Sequence, residues 1–219
     1  MSEPLKLTGM VLSAAPAGEY DKRVVILTKE RGKLAAFARG ARRTASQLLA
    51  PCNPFSFGSF ILYEGRNSYT LVQADISNYF LELKEDFAGT CYGIYFMEVA
   101  DYYTRENLDG GPMLNLLYVS LKALANQRLD NELVRCVFEM KAMILNGEYP
   151  FDVIQDPGLQ EATRYALAYV VNAPAGHLYT FTLKPEILEE FKRVQQKLNR
   201  KNIDRPFKSL EILKTMLEM

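Results

Sequence analysis

Apolar residues change their spacing once along this chain. In the first 80 residues they alternate within short runs cut by turn residues, and from about Lys84 onward they recur every three or four positions. The front runs, Leu5 to Leu12, Arg23 to Thr28, Lys33 to Ala38, Phe57 to Tyr63 and Tyr69 to Ile76, are rich in β-formers and predict five strands. Lys29-Glu30-Arg31-Gly32 predicts a tight hairpin, with Gly32 supplying a positive φ, and Glu64-Gly65-Arg66-Asn67 predicts a second one. Five strands in so short a stretch favour a closed barrel, which leaves no sheet edge open to aggregation.

The later pattern is helical. Leu114, Leu117, Leu121 and Leu124 fall on one helix face, as do Leu133, Val137, Met140 and Ile144, and a third stripe runs through Ile187, Phe191, Val194 and Leu198. Gly110-Gly111-Pro112 and Asn146-Gly147 punctuate these helices, and a short last helix is expected after Pro206. The fold class expected is therefore α+β, a five-stranded OB-type barrel at 1–80 followed by an all-helical domain at 81–219, with the boundary near residues 77 to 84.

Composition adds less than charge placement does. The 219 residues carry 26 Lys and Arg against 26 Asp and Glu, yet residues 1–80 hold 10 cations against 6 anions and the remainder 16 against 20. A polyanion would therefore meet the front of the molecule. No stretch is long and apolar enough to span a membrane and the N-terminus lacks a leader pattern, so a cytoplasmic protein without membrane association is expected. Cys52, Cys91 and Cys136 are too far apart to suggest a disulfide framework.

The densest chemical signal is Lys22, Arg23, Lys29, Arg31, Lys33, Arg39, Arg42 and Arg43, eight cations in 22 residues interrupted by Glu30 alone. On two paired strands and the loop after them, they are expected to converge on one barrel wall. Such a wall attracts a phosphate backbone without sequence preference and with steep salt dependence. Tyr20 and Phe37 are candidate stacking surfaces, although Phe37 in a strand equally reads as core. In the loop Ala38 to Gln47, Gly40 permits close backbone approach and Ser46 offers either a phosphate donor or the start of a helical turn. Exposed strand cations also serve merely to solvate a surface, so the charge pattern leaves both readings open.

Other chemistry is not patterned. The chain has no GxxxxGK[ST] phosphate loop, no grouped carboxylates for metal-dependent nuclease action, and a lone His177 in Ala175-Gly176-His177-Leu178-Tyr179 without a nucleophile at recognisable spacing. No enzymatic centre, cofactor or metal is expected.

Leu27-Thr28-Lys29-Glu30-Arg31-Gly32-Lys33, followed by Ala38-Arg39-Gly40-Ala41-Arg42-Arg43 and Ser46, resembles the signature of the RecO family. The likeness continues in order through Pro54-Phe55, Phe60-Ile61-Leu62-Tyr63, Tyr95, Glu98, Phe138-Glu139, Leu145 to Pro150 and Arg205-Pro206-Phe207-Lys208-Ser209. It implies an N-terminal OB-fold and a C-terminal helical domain acting in recombinational repair. It further implies binding of single- and double-stranded DNA, annealing of complementary strands and, with RecR, loading of RecA onto DNA coated by single-stranded-DNA-binding protein. That protein's acidic, apolar-ended tail is expected to dock on the helical domain.

The resemblance assigns DNA contact to Lys22, Arg23, Lys29, Lys33, Arg39, Arg42 and Arg43. For tail docking it leaves Arg135 beside Phe138-Glu139, a position that equally suits a surface ion pair. Many family members carry two CxxC pairs after Pro150, whereas this chain has no cysteine beyond Cys136, so the zinc site is not expected. Two other functions remain open: a protein-interaction adaptor using the acidic middle, where residues 81–183 hold 7 cations against 14 anions, and a non-specific RNA-binding OB protein.

Overall fold

In a computed structural model that describes residues 3–66 and 68–217, five strands form: β1 (Leu5–Ala17), β2 (Asp21–Thr28), β3 (Gly32–Ala38), β4 (Phe57–Glu64) and β5 (Tyr69–Asn78). Alternation decides which side each residue takes. Val24, Ile26, Leu34, Ala36 and Ala38 are buried on the inner side, whereas Arg23 and Phe37, paired across β2 and β3, are exposed on the outer side.

The strands close in the order β1-β2-β3-β5-β4, antiparallel throughout except for a three-residue parallel pairing of β3 with β5. This is the five-stranded OB-fold barrel expected from the sequence. β1 can serve two neighbours because an irregularity between Val11 and Ser13 bends it: Leu5–Met10 pairs with β4 and Gly9–Ala17 with β2. β1 also runs five residues past its predicted end. Ala14-Ala15-Pro16-Ala17 is poor strand sequence on its own and is held by pairing with Asp21–Val24.

The barrel core contains Leu7, Val11, Val24, Ile26, Leu34, Phe60, Leu62 and Leu71, each large side chain contributing roughly 1.5–3 kcal/mol by leaving water. Ala41, Leu48 and Cys52 belong to the same core. The segment between β3 and β4 is thus a stopper as well as a connection, with burial pushing the Cys52 thiol up to about 11.

Gly32 ends the β2–β3 hairpin at φ +63°, as predicted, and a Cβ there would lie 2.1 Å from the Arg105 carbonyl oxygen. In the β4–β5 turn, the Gly65 amide donates to the Ser68 carbonyl at 2.9 Å. Asn67, the last residue of that predicted turn, lies outside the described residues.

The helices are α1 (Leu81–Glu85), α2 (Phe87–Tyr103), α3 (Gly111–Leu124), α4 (Asn131–Leu145), α5 (Glu161–Asn172), α6 (Pro185–Asn202) and α7 (Lys208–Leu217). The chain divides into two compact units, Met1–Leu81 with Ala100–Leu114, and Glu82–Val99 with Asn115–Met219. Ala100–Leu114 goes with the barrel because its backbone grips the β2–β3 hairpin. Lys33 donates its amide to Arg105, Asn107 to Arg31 and Gly110 to Lys29.

In the second unit α4 starts at Asp130, whose carboxylate caps the amides of Glu132 and Leu133, and is buried along most of its length. Phe138 stacks on Phe96 at 4.1 Å between ring centres. α5 was not expected from the sequence. Its buried face is Thr163, Ala166, Leu167 and Val170, a proper helical spacing in which only two members are strongly apolar. Among the described residues no helix is long and apolar enough to cross a membrane.

Candidate nucleic-acid interface

The polypeptide turns sharply where β3 leaves the barrel. Gly40 takes φ +65° and its amide donates to the Asp21 carboxylate at 2.7 Å. Arg42 then reaches back to the β1–β2 turn, its guanidinium donating to the carbonyls of Gly18 at 3.0 Å and Glu19 at 2.9 Å, while its amide donates to Tyr20 at 2.8 Å. Arg43 lies 4.8 Å over the Tyr20 ring. The two loops therefore make one rim at this end of the barrel, with Arg39, Arg42 and Arg43 exposed on it.

Tyr20 is 44% exposed, and the adjacent Glu19 side chain, ahead of slight desolvation, raises its phenol pKa. Phe37 is 40% exposed on the outer wall next to Arg23 across the strand pair, so it belongs to the surface rather than to the core. Ser46 makes a local turn, its Oγ accepting the Leu48 amide at 3.2 Å, and no helix starts there.

The expected single wall of cations is divided. Lys22 faces opposite to Arg23 and ties down the stopper segment through Asn53 Oδ1 at 2.8 Å and the Leu49 carbonyl at 3.3 Å. Lys29, Arg31 and Lys33 belong to the other end of the hairpin, since Lys22 pairs with Ala38 and Thr28 with Gly32. Six residues of strand separate those pairs by about 20 Å. Lys33 is bound to Asp101, 3.1 Å from its carboxylate and also to its carbonyl, and Arg31 faces Asn107 at 3.4 Å and Glu64 at 3.9 Å. Lys29 is exposed there. The group that the structure brings together is Arg23, Arg39, Arg42 and Arg43 with Tyr20 and Phe37.

Arg135 is 6% exposed. Its guanidinium is held by Glu132 at 2.7 Å and Glu139 at 3.1 Å, and these carboxylates also accept from Tyr92, Tyr95 and Asn199. Burial, the largest influence on both, works against charge on Arg135 and Glu132, but the pair overrides it, holding the Arg135 pKa up and that of Glu132 down. Arg135 is an internal tie among helices, with no guanidinium face offered at the surface.

The sequence reading missed a second cationic feature. Residues 192–208 contain seven Lys and Arg against Asp204 alone, and Arg193, Lys197, Arg200 and Lys201 are exposed at i, i+4, i+7 and i+8 on α6. Beside them Ile203, Phe207 and Leu210 line a cleft of about 400 Å³ with Arg200 and Arg205 on its margin. Summing charge over 81–219 concealed this stripe, because the acidic residues before it outweigh it.

Among the described residues no group of three or more His, Cys, Asp or Glu is placed to hold a metal, and Cys52, Cys91 and Cys136 are all unbridged. Cys52 and Cys136 are buried, and Cys91 is half-buried.

A five-stranded barrel with a cationic, aromatic-bearing rim, together with a helical unit, defines a two-part protein of the OB-fold class. Comparison with known proteins supplies the family. Residues 1–80 match the model described as Recombination protein O N terminal, and residues 84–151 match Recombination protein O C terminal.

The chain belongs to the RecO family. Relatives named DNA repair protein RecO include one from Alkaliphilus metalliredigens, 37% identical over 146 residues that cover 67% of this chain and 59% of that protein. Another, from Bacillus subtilis, is 33% identical over 145 residues, covering 66% and 56%. The relative from Acetivibrio thermocellus is 26% identical over 244 positions, covering 97% of both chains. This chain thus matches a little under three fifths of the length of the first two proteins and nearly the whole of the third.

Proposed function

We propose that this chain is a mediator of recombinational DNA repair that binds single- and double-stranded DNA on the barrel rim and acts without a covalent step. The observation that carries this reading is the clustering of exposed Arg23, Arg39 and Arg43 at one barrel end beside Tyr20 and Phe37. Cations there neutralise phosphates and release counterions, and neutralisation of two strands at once is what annealing requires. Lys22, Lys29 and Lys33 contribute to the field around the barrel, while their bonds and position give them a smaller part in direct contact.

The helical unit takes protein partners in this reading. The α6 stripe and the cleft at Ile203, Phe207 and Leu210 combine cations with an apolar floor, which suits the acidic, apolar-ended tail of single-stranded-DNA-binding protein better than buried Arg135 does. Family membership supports action with RecR, delivery of RecA and work in the cytoplasm at DNA as parts of this reading.

The test is a fluorescence-anisotropy titration of single-stranded DNA over a series of salt concentrations. Joint charge reversal, Arg39→Glu with Arg43→Glu, should weaken binding about tenfold or more and lower the slope of log K against log salt by about 1.4 or more, at roughly 0.7 for each phosphate no longer neutralised. Unchanged affinity and slope would overturn the reading and favour the adaptor.

A further inference from the structure

The β1–β2 turn and the loop after β3 are joined by four hydrogen bonds: Gly40 to Asp21, Arg42 to Gly18 and to Glu19 through its side chain, and Arg42 to Tyr20 through its amide. Charge attraction to phosphate does not depend on such fastening, because long cationic side chains reach a backbone from a mobile loop too. A fixed geometry matters for a planar contact. What the fastening fixes is the Tyr20 ring, exposed, with the Arg43 guanidinium 4.8 Å from its centre.

We propose that Tyr20 and Arg43 form a seat for one unpaired nucleobase, and that Asp21 and Arg42 are the positioning residues that hold it. The proposal rests on the DNA-binding reading above and adds what distinguishes one nucleic-acid form from another. A nucleobase adds to the phenol ring and the guanidinium beside it, a contact open to any base because every base has a π face. In a duplex both faces of each base are already covered by neighbours, so the seat is usable only by a single strand or after unstacking. The cations of the rim serve both forms, and the seat favours one.

Glu19 fits this division. Its carbonyl takes Arg42, so the residue next to Tyr20, although acidic, contributes its backbone to the fastening of the turn. Arg42 spans two successive carbonyls from one guanidinium nitrogen, which stands one bond further out along the side chain than a lysine ammonium would, so lysine falls short of the turn.

The experiment compares the full chain with its Tyr20→Leu and Arg42→Lys variants on three fluorescent probes of equal length: oligo-dT, the same backbone with abasic sites, and a duplex. Tyr20→Leu should weaken oligo-dT binding between about fivefold and a hundredfold, leave the other two probes within about twofold, and leave the salt slope on oligo-dT unchanged. Arg42→Lys keeps the charge and should show the same selective loss. Equal losses on all three probes, or no loss on oligo-dT, would overturn the seat while leaving DNA binding in place. If the unaltered chain binds none of the probes, the DNA-binding reading fails and the seat with it.

Discussion

The two ends of the β2–β3 hairpin carry similar charge in the sequence and differ in what the charge is used for. At the Gly32 end, Lys33 is joined to Asp101 and Arg31 faces Glu64 and Asn107, so much of the cationic capacity is spent inside the unit. At the Ala38 end, Arg23, Arg39 and Arg43 are exposed, and Arg42 uses one guanidinium nitrogen to fasten a turn. A run of basic residues thus becomes a surface only where no carboxylate of the same fold arrives first. Arg135 is the limiting case on the tied side, paired twice and removed from water.

That limiting case gives the largest expected effect. Arg135→Ala leaves buried Glu139 without its cation and Glu132 with only Lys192 at 3.5 Å, and removing one member of a buried network costs roughly 3–5 kcal/mol. Urea unfolding of the variant should show this loss. A loss below about 1 kcal/mol would mean that the network relaxes into water, and Arg135 would return to consideration as a surface group.

Next in size is a pH effect at the stopper. Because burial raises the Cys52 thiol to about 11, the folded state keeps a proton that the unfolded state gives up from its ordinary value near 9. Stability is therefore full below about pH 9 and falls as pH rises toward 11, by about 2–3 kcal/mol for two units of difference. Cys52→Ala should flatten the denaturation midpoint over that range. An identical decline in the variant would assign the effect to other groups.

The smallest effect belongs to the tied end of the hairpin. Lys33→Ala should cost about 1 kcal/mol of stability, as for a partly exposed pair, and leave the salt slope of DNA binding in place. A slope lower by about 0.7 would place Lys33 on the phosphate path after all and erase the contrast between the two ends.

Much of the barrel was legible because alternation acts locally: Val24 and Ile26 point in and Arg23 points out whatever the rest of the chain does. The end of β1 was not, since Ala14 to Ala17 become a strand only through a partner. The β3–β4 segment looked like an interruption because Ala41 and Cys52 are small, and their burial depends on the barrel end that they close. α5 was passed over because Thr163 and Ala166 weaken its stripe.

At the site, residue type was legible and grouping was not. Sequence density could not show that Lys22 and Arg23 face opposite ways with different partners, or which end of a hairpin meets carboxylates from residues 68 positions away, as Lys33 meets Asp101. For Arg135 a clue existed in the flanking Val134, Cys136, Val137 and Phe138, an apolar setting in which an arginine usually brings its own anions.

Because the chain between β3 and β4 is anchored by Ala41, Leu48 and Cys52 in the barrel interior, its arginine-bearing beginning is already settled before any ligand arrives. Little disorder is left there to surrender on capture, so more of the gross attraction survives as affinity. Grip and release can then be governed by ionic conditions, without refolding of the protein at each encounter.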